Sequence, residues 1–170
     1  MSRNIEIKAR VLHPEELEAR AAAIADQGPF FITQDDTFFA CPNGRLKLRV
    51  FSADEGQLIY YRRADTAGPK ESYYLITPTA APDQLRATLS EACGQIGRVI
   101  KQRTLYLAGA TRIHLDRVEG LGDFMELEVV LGEGQAAEQG MAVAHDLMGR
   151  LGITADQLVH GAYLDLLRSG

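Results

Sequence analysis

Cysteine is scarce in this 170-residue chain, which holds only Cys41 and Cys93. Two thiols are too few for a disulfide framework and have no metal-ligand spacing, so both are expected to be reduced. Long apolar runs are missing as well. No stretch approaches the roughly 20 apolar residues of a membrane-spanning helix, and Met1-Ser2-Arg3-Asn4-Ile5-Glu6 lacks the apolar segment of a signal peptide. A cytoplasmic protein without membrane association is the expectation. Positive charge is not in excess either: the formal net charge is −5, which disfavours nucleic acid as a partner but leaves room for a local basic cluster. Internal repeats, low-complexity tracts and long linkers are absent. What remains is an ordinary globular composition, 46% hydrophobic and 24% charged, at a length that suits one domain over residues 1–170.

Turn signals at Pro42-Asn43-Gly44, Asp54-Glu55-Gly56, Ala67-Gly68-Pro69, Ala108-Gly109-Ala110, Glu119-Gly120-Leu121-Gly122 and Gly132-Glu133-Gly134 divide the chain into short segments. Period-2 alternation within them predicts eight strands, at 3–12, 30–40, 45–52, 57–64, 71–77, 98–107, 110–117 and 123–131, the second being the least regular. Helical patterns cover 14–27, where Pro14-Glu15-Glu16 makes an acidic first turn, then 82–94 and 135–151, with shorter pieces over 154–168. Thr77-Pro78-Thr79-Ala80-Ala81-Pro82 reads as a connection between two halves of one sheet structure. The fold class is therefore α+β.

Successive side chains on a strand point to opposite faces. In the first strand Ile5, Ile7, Ala9 and Val11 share one face, with Asn4, Glu6, Lys8 and Arg10 on the other. The third strand sets Leu46, Leu48 and Val50 against Arg45, Lys47 and Arg49, and Arg63 has the parity of Tyr61 in the fourth. Lys101 and Arg103 share a face of the sixth, Arg112, His114 and Asp116 a face of the seventh, and Glu126 and Glu128 a face of the eighth. For one strand such a face is ordinarily the solvated side of an antiparallel sheet. The set argues otherwise, because a merely soluble surface intersperses its signs, whereas here three cations share one strand and two carboxylates another. Eight antiparallel strands can close into a barrel, removing exposed edges and turning one face of each strand inward. Helices outside would cover the apolar face. Cations confined in such a lumen are costly unless a polyanion and its metal neutralise them.

The residues Glu6-Ile7-Lys8, Leu46-Lys47-Leu48-Arg49, Tyr61-Arg62-Arg63, Lys101-Gln102-Arg103, Arg112-Ile113-His114-Leu115-Asp116 and Glu126-Leu127-Glu128 together resemble the CYTH family, or triphosphate tunnel metalloenzymes, across nearly the whole chain. The stretch from Val99 to Leu131 is most similar to the class IV adenylate cyclase-like branch. The resemblance implies a closed eight-stranded antiparallel barrel, a triphosphate tunnel, with helices packed outside. It also implies a metal-dependent enzyme that turns ATP into cyclic AMP and pyrophosphate. An inorganic or organic triphosphatase is the alternative, and a non-catalytic polyphosphate- or nucleotide-binding module a third. The expected partner is a small-molecule triphosphate, ATP or inorganic triphosphate, with a homodimer as one assembly state.

Phosphoryl transfer is mostly positioning and charge neutralisation, which arginine forks and lysine point charges supply. Lys8, Lys47, Arg49, Arg63, Lys101, Arg103 and Arg112 are assigned to the triphosphate, with Arg10 and Arg45 as outer members near the tunnel mouths. Mg2+ or Mn2+ prefers oxygen ligands, a role that fits Glu6, Glu126 and Glu128. Asp116, Lys101 and Arg103 are the catalytic candidates; Asp116 either joins the metal or orients the attacking oxygen, as its position in the family suggests. His114 faces the same lumen, as a phosphate or base contact or as a histidine satisfied by a neighbouring carboxylate. His13, His145 and His160 read as structural, Ser72 and Tyr74 as packing residues, and Tyr163 as part of a last helix against the barrel. Asn4 stands where the family motif has a carboxylate. An amide brings no charge, so one well-held metal rather than two is expected, along with anion binding that outlasts metal removal.

Overall fold

A computed structural model describes residues 2–64 and 66–169. Its eight strands are β1 (Ser2–Arg10), β2 (Gln27–Phe39), β3 (Arg45–Ser52), β4 (Glu55–Arg63), β5 (Lys70–Thr79), β6 (Gln95–Ala108), β7 (Thr111–Val118) and β8 (Gly122–Val130). They form one closed antiparallel barrel in the order β1-β5-β4-β3-β2-β6-β7-β8, with β8 paired back onto β1. Four helices lie outside or at an end: α1 (Pro14–Ile24), α2 (Pro82–Cys93), α3 (Ala137–Arg150) and α4 (Tyr163–Ser169), with a 3-10 turn at Ala155–Gln157. Among the described residues no helix is long and apolar enough to cross a membrane.

All eight expected strands are present, and the differences lie at their ends. β2 and β6 run longer than their local patterns, because Gln27 pairs with Leu107 and Phe39 with Gln95. The ladder runs through Gly97, opposite Phe38, and is interrupted by an irregularity at Gly28 and Pro29 before Gln27 pairs again. Starting β2 at Gln27 also ends α1 at Ile24, short of the expected 27. Thr77, Pro78 and Thr79 are strand, opposite Leu58, Gln57 and Gly56, so only Ala80 and Ala81 separate β5 from α2. Cys41 and Cys93 are free thiols, as expected.

Alternation decides what each face meets. The outward residues Ile5, Ile7 and Ala9 of β1, Ile113 of β7, and Met125, Leu127 and Val129 of β8 are buried with Leu17 and Ala21 of α1, Ala144 and Leu147 of α3, and Leu151 and Ile153 beyond it. At about 25 cal/mol per Å2 of apolar surface, each such large side chain contributes on the order of 2 kcal/mol. Gly140 permits the close seating of α3 on β1, since a Cβ there would lie 2.6 Å from both Ile5 and Leu131. On the other flank α2 packs on β2, β3 and β4. This helical coat is less complete than the apolar alternation suggests: Phe31 of β2 is 78% exposed and Leu75 of β5 51%.

A second apolar cluster closes one end of the barrel. Phe38, Ile59, Tyr61, Val99, Val118 and Phe124 meet Tyr163 and Leu164 of α4. Gly97 makes this approach feasible, because a Cβ at that position would stand 2.2 Å from Leu164. The lumen is therefore ionic in its middle and apolar towards this end, where an ionic face throughout was expected.

Candidate functional site

Inside the barrel is a cavity of about 310 Å3, and its wall includes all seven cations that the sequence assigned to phosphate: Lys8, Lys47, Arg49, Arg63, Lys101, Arg103 and Arg112. Glu6, Glu126 and Glu128 line the same space, as do His114, Asn4, Ser72 and Tyr74. Strand register explains how opposite charges meet there. Lys8 stands across from Glu126 and Glu6 from Glu128 on the β1–β8 ladder. Arg103 faces Asp116 between β6 and β7, Arg112 faces Glu128 between β7 and β8, and Asp36 faces Arg49 between β2 and β3.

The cations fall into groups around their carboxylates. Arg49 makes a two-pronged contact with Asp36 at 2.9 and 2.8 Å, and the ammonium groups of Lys47 and Lys101 each lie 3.3 Å from the same carboxylate. Arg103 grips Asp116 at 2.7 and 2.8 Å and reaches Glu126 at 3.5 Å. Lys8 lies 3.4 Å from Glu126, Arg63 2.6 Å from Glu6, and Arg112 2.7 Å from Glu128. His114, Glu126 and Glu128 each offer a ligand atom within 4.8 Å of the others, an arrangement suited to a metal ion. Glu6 is not part of that cluster and is held by Arg63.

Tyr163 enters from the closed end. Its hydroxyl donates to Asp116 at 2.8 Å, while its ring stands 4.0 Å from the Lys8 ammonium and 5.3 Å from that of Lys101. Lys8 and Arg63 also donate to the Gly161 carbonyl, at 3.3 and 3.4 Å. Asp116 does not line the cavity itself: both its oxygens are taken by Arg103, and Tyr163 adds a further donor to one of them. Arg45 is bound to Asp165 of α4 at 2.8 Å, and Arg10 lies over the Phe124 ring at 5.1 Å, so both stand outside the cavity.

Sequence reasoning missed Asp36, the carboxylate shared by three of the cations and only 1% exposed. The pair Asp35-Asp36 puts one acid on each face of an irregular strand, so parity alone could not single it out. It also undervalued Ser72 and Tyr74, which reach the cavity wall. Of the other histidines, His13 stands at the N-cap position of α1 without a capping side-chain hydrogen bond, while His145 and His160 are exposed.

Burial governs the lysines. It draws Lys47 down to about 7, with Arg49 adding to the depression and Asp36 opposing it. Lys8 falls to about 8 for the same first reason, against the pull of Glu126. Burial would raise the carboxyls, but Arg49, Lys101 and Lys47 hold Asp36 well below its usual range, and Lys8, His114 and Arg103 do the same for Glu126. The Lys8–Glu126 pair thus responds unequally. Glu126 is ringed by cationic groups and stays ionised, whereas Lys8 also feels Arg63 and Lys101 and carries the burial penalty.

Between these lowered values and the ordinary 10.5, the unfolded chain binds more protons at Lys8 and Lys47 than the folded one. The empty protein should therefore gain stability as pH rises through that window and lose it as pH falls back towards 7. A polyanion favours the charged ammonium and reverses the shift. Calorimetric titration with tripolyphosphate at about pH 8, in buffers of different ionisation heat, is expected to show net proton uptake and an affinity that declines at higher pH. Heats independent of the buffer would mean that these lysines do not meet the anion.

The comparisons agree with this geometry. Residues 2–163 match the CYTH domain. The chain belongs to the CYTH family. It is accordingly an enzyme of the CYTH type, with the tunnel as its candidate active site. Adenylate cyclase CyaB from Aeromonas hydrophila is 25% identical over 178 residues, covering 95% of this chain and 87% of that protein. The structure of PH1012 protein from Pyrococcus horikoshii OT3 superposes with a TM-score of 0.85 at 24% identity, covering 96% of this chain and 99% of that one. HpAC1 from Hippeastrum, described with a dominant triphosphatase activity, gives a TM-score of 0.68 at 18% identity, covering 98% and 96%. At these identities the two structures speak to the fold of this CYTH protein.

Proposed function

We propose that this CYTH protein is a metal-dependent adenylate cyclase of the class IV type, converting ATP to cyclic AMP and pyrophosphate. The observation that carries this reading is the composition of the cavity wall. Besides the cations, it includes Ile32, Phe51, Ile76, Gln34 and Gln57, a surface of apolar and amide groups that an inorganic triphosphate alone would leave unused. A nucleoside fits it, with apolar contacts for the base and amides for its edge. The name of the Aeromonas relative supports the same choice.

In this reading Lys47, Arg49, Lys101, Arg103, Arg112, Lys8 and Arg63 hold the phosphate chain, and all but Arg103, which keeps Asp116, exchange their present carboxylate partners for phosphate oxygens. Glu126 and Glu128, with His114 beside them, fit a divalent metal, Mg2+ or Mn2+, whose contribution when bound is to neutralise charge on the phosphates. The ribose 3′-oxygen forms a bond to the α-phosphorus, the bond from that phosphorus to the bridging oxygen breaks, and pyrophosphate leaves with the electron pair. Arg103, fixed by Asp116, is positioned to meet the charge on the transferred group. Asp116 acts here through Arg103, since its oxygens are already occupied. The proton of the 3′-hydroxyl passes to water, since Lys47 and the other tunnel lysines stay protonated against the phosphate chain.

A triphosphatase is the second reading, favoured by the fact that the ionic middle of the tunnel would serve water as nucleophile equally well. The test is a turnover screen of ATP, GTP, inorganic triphosphate and thiamine triphosphate with Mg2+ or Mn2+, with products separated by chromatography. Cyclic AMP with equimolar pyrophosphate is expected. Release of orthophosphate as the main product would transfer the assignment to the triphosphatase, and binding without turnover to a binding module.

A further inference from the structure

Gln34 is a neutral amide among ions. It lines the tunnel cavity from β2 and is only 3% exposed, yet its Oε1 is buried without a hydrogen-bond partner. Buried polar atoms are rarely left unsatisfied, and each such case calls for an explanation. An amide oxygen can only accept, and so can an ionised phosphate or carboxylate oxygen, so neither of these satisfies it. Lys101, its cross-strand partner on β6, is turned to Asp36 at 3.3 Å. Glu126 and Glu128, the carboxylates suited to a metal, stand on β8, separated from β2 by β6 and β7. The partner that Gln34 lacks is an O–H or N–H group arriving with the ligand.

Its place on the strand says which group. Two residues further along β2, on the same face, Asp36 gathers Arg49, Lys47 and Lys101, the cations assigned to phosphate. Two residues back, Ile32 belongs to the apolar part of the wall. Direct cross-strand partners have Cβ atoms about 5 Å apart, which sets Gln34 close to the phosphate-binding Lys101. Gln34 thus stands where the stretch that suits phosphate gives way to the stretch that suits a base, and in a nucleoside triphosphate that junction is the sugar. Of the two ribose hydroxyls, the 3′ is the one that faces the α-phosphate in cyclisation. We infer that Gln34 Oε1 accepts the hydrogen bond of the ribose 3′-hydroxyl and holds that oxygen beside the phosphate chain. A neutral amide takes no proton from it; the contribution is to fix the direction of the hydroxyl before its oxygen attacks. This inference rests on the cyclase reading and divides the two amides of the wall, Gln34 meeting the sugar and Gln57 the base.

The test is calorimetric binding of three ligands to the full chain with Mg2+: the α,β-methylene analogues of ATP, 2′-deoxy-ATP and 3′-deoxy-ATP, in which the bond broken on cyclisation cannot break. The wild type is expected to bind the 3′-deoxy analogue about tenfold more weakly than the ATP analogue, and the 2′-deoxy analogue within about twofold of it. Gln34→Leu should bind the ATP and 3′-deoxy analogues alike, because the acceptor is gone; Gln34→Met gives the same reading where the leucine variant does not fold. Asn4→Ala, which removes the other unpartnered amide oxygen of the lumen, should keep the tenfold difference. Equal binding of the ATP and 3′-deoxy analogues by the wild type overturns the inference. So does a difference that survives in Gln34→Leu, whether or not that variant weakens all three ligands together, as loss of an amide donor to the phosphates would. Cyclic AMP in the turnover screen without a preference for the 3′-hydroxyl defeats this inference alone, whereas the absence of cyclic AMP defeats the cyclase reading.

Discussion

Glu126→Gln is expected to lower metal-dependent turnover by about a hundredfold to a thousandfold while the barrel stays folded. Glutamine keeps the shape and one oxygen but removes the charge that Lys8 meets at 3.4 Å, Arg103 at 3.5 Å and His114 at 4.0 Å. The metal loses a negative ligand and the surrounding cations lose a counter-charge, so ion binding weakens while non-specific anion binding does not. Steady-state rates over a range of metal concentrations, beside a melting curve, separate the two effects. Glu128→Gln should behave alike, since that carboxylate serves Arg112 and His114. A rate within about twofold of wild type in either variant would remove these residues from the metal site.

Asp36→Asn is expected to melt early when empty and to be rescued by tripolyphosphate. Its carboxylate is the common partner of Arg49, Lys47 and Lys101, and removing one side of a buried ionic cluster costs about 3–5 kcal/mol. For a chain of this size that corresponds to a fall in melting temperature of roughly 10 °C. The three cations are then free to take an external anion, which should bind more tightly than to wild type and return most of the lost stability. Thermal melts with and without tripolyphosphate read both halves. An equal anion-induced gain in the two proteins would show that Asp36 does not occupy the place phosphate takes.

The parts of the site that sequence made legible lie on strands whose alternation is clean. Glu6 and Lys8 on β1, Lys47 and Arg49 on β3, and Glu126 and Glu128 on β8 could be assigned to one face because a period of two leaves no choice once their neighbours are apolar, and Lys101 and Arg103 on β6 share a face by their spacing alone. Asp36 escaped because β2 puts an acid and phenylalanines on each of its faces. Tyr163 was visible only as a helix residue that packs on the barrel. Its contact with Asp116 depends on a helix 47 residues away in sequence seating over the lumen, which no local pattern carries.

Side-chain alternation and short motifs are local properties of the chain, and they were enough to indicate the eight strands, the sorting of charge onto one face and the family. Tertiary structure decided which carboxylate each cation meets and which end of the lumen is apolar. It also decided that Asp116 stands behind Arg103 and that Glu6 is bound to Arg63 instead of joining Glu126 and Glu128. The reason is physical: pairing partners are set by strand register around a closed barrel and by the seating of α4, and those depend on contacts between segments far apart in the chain.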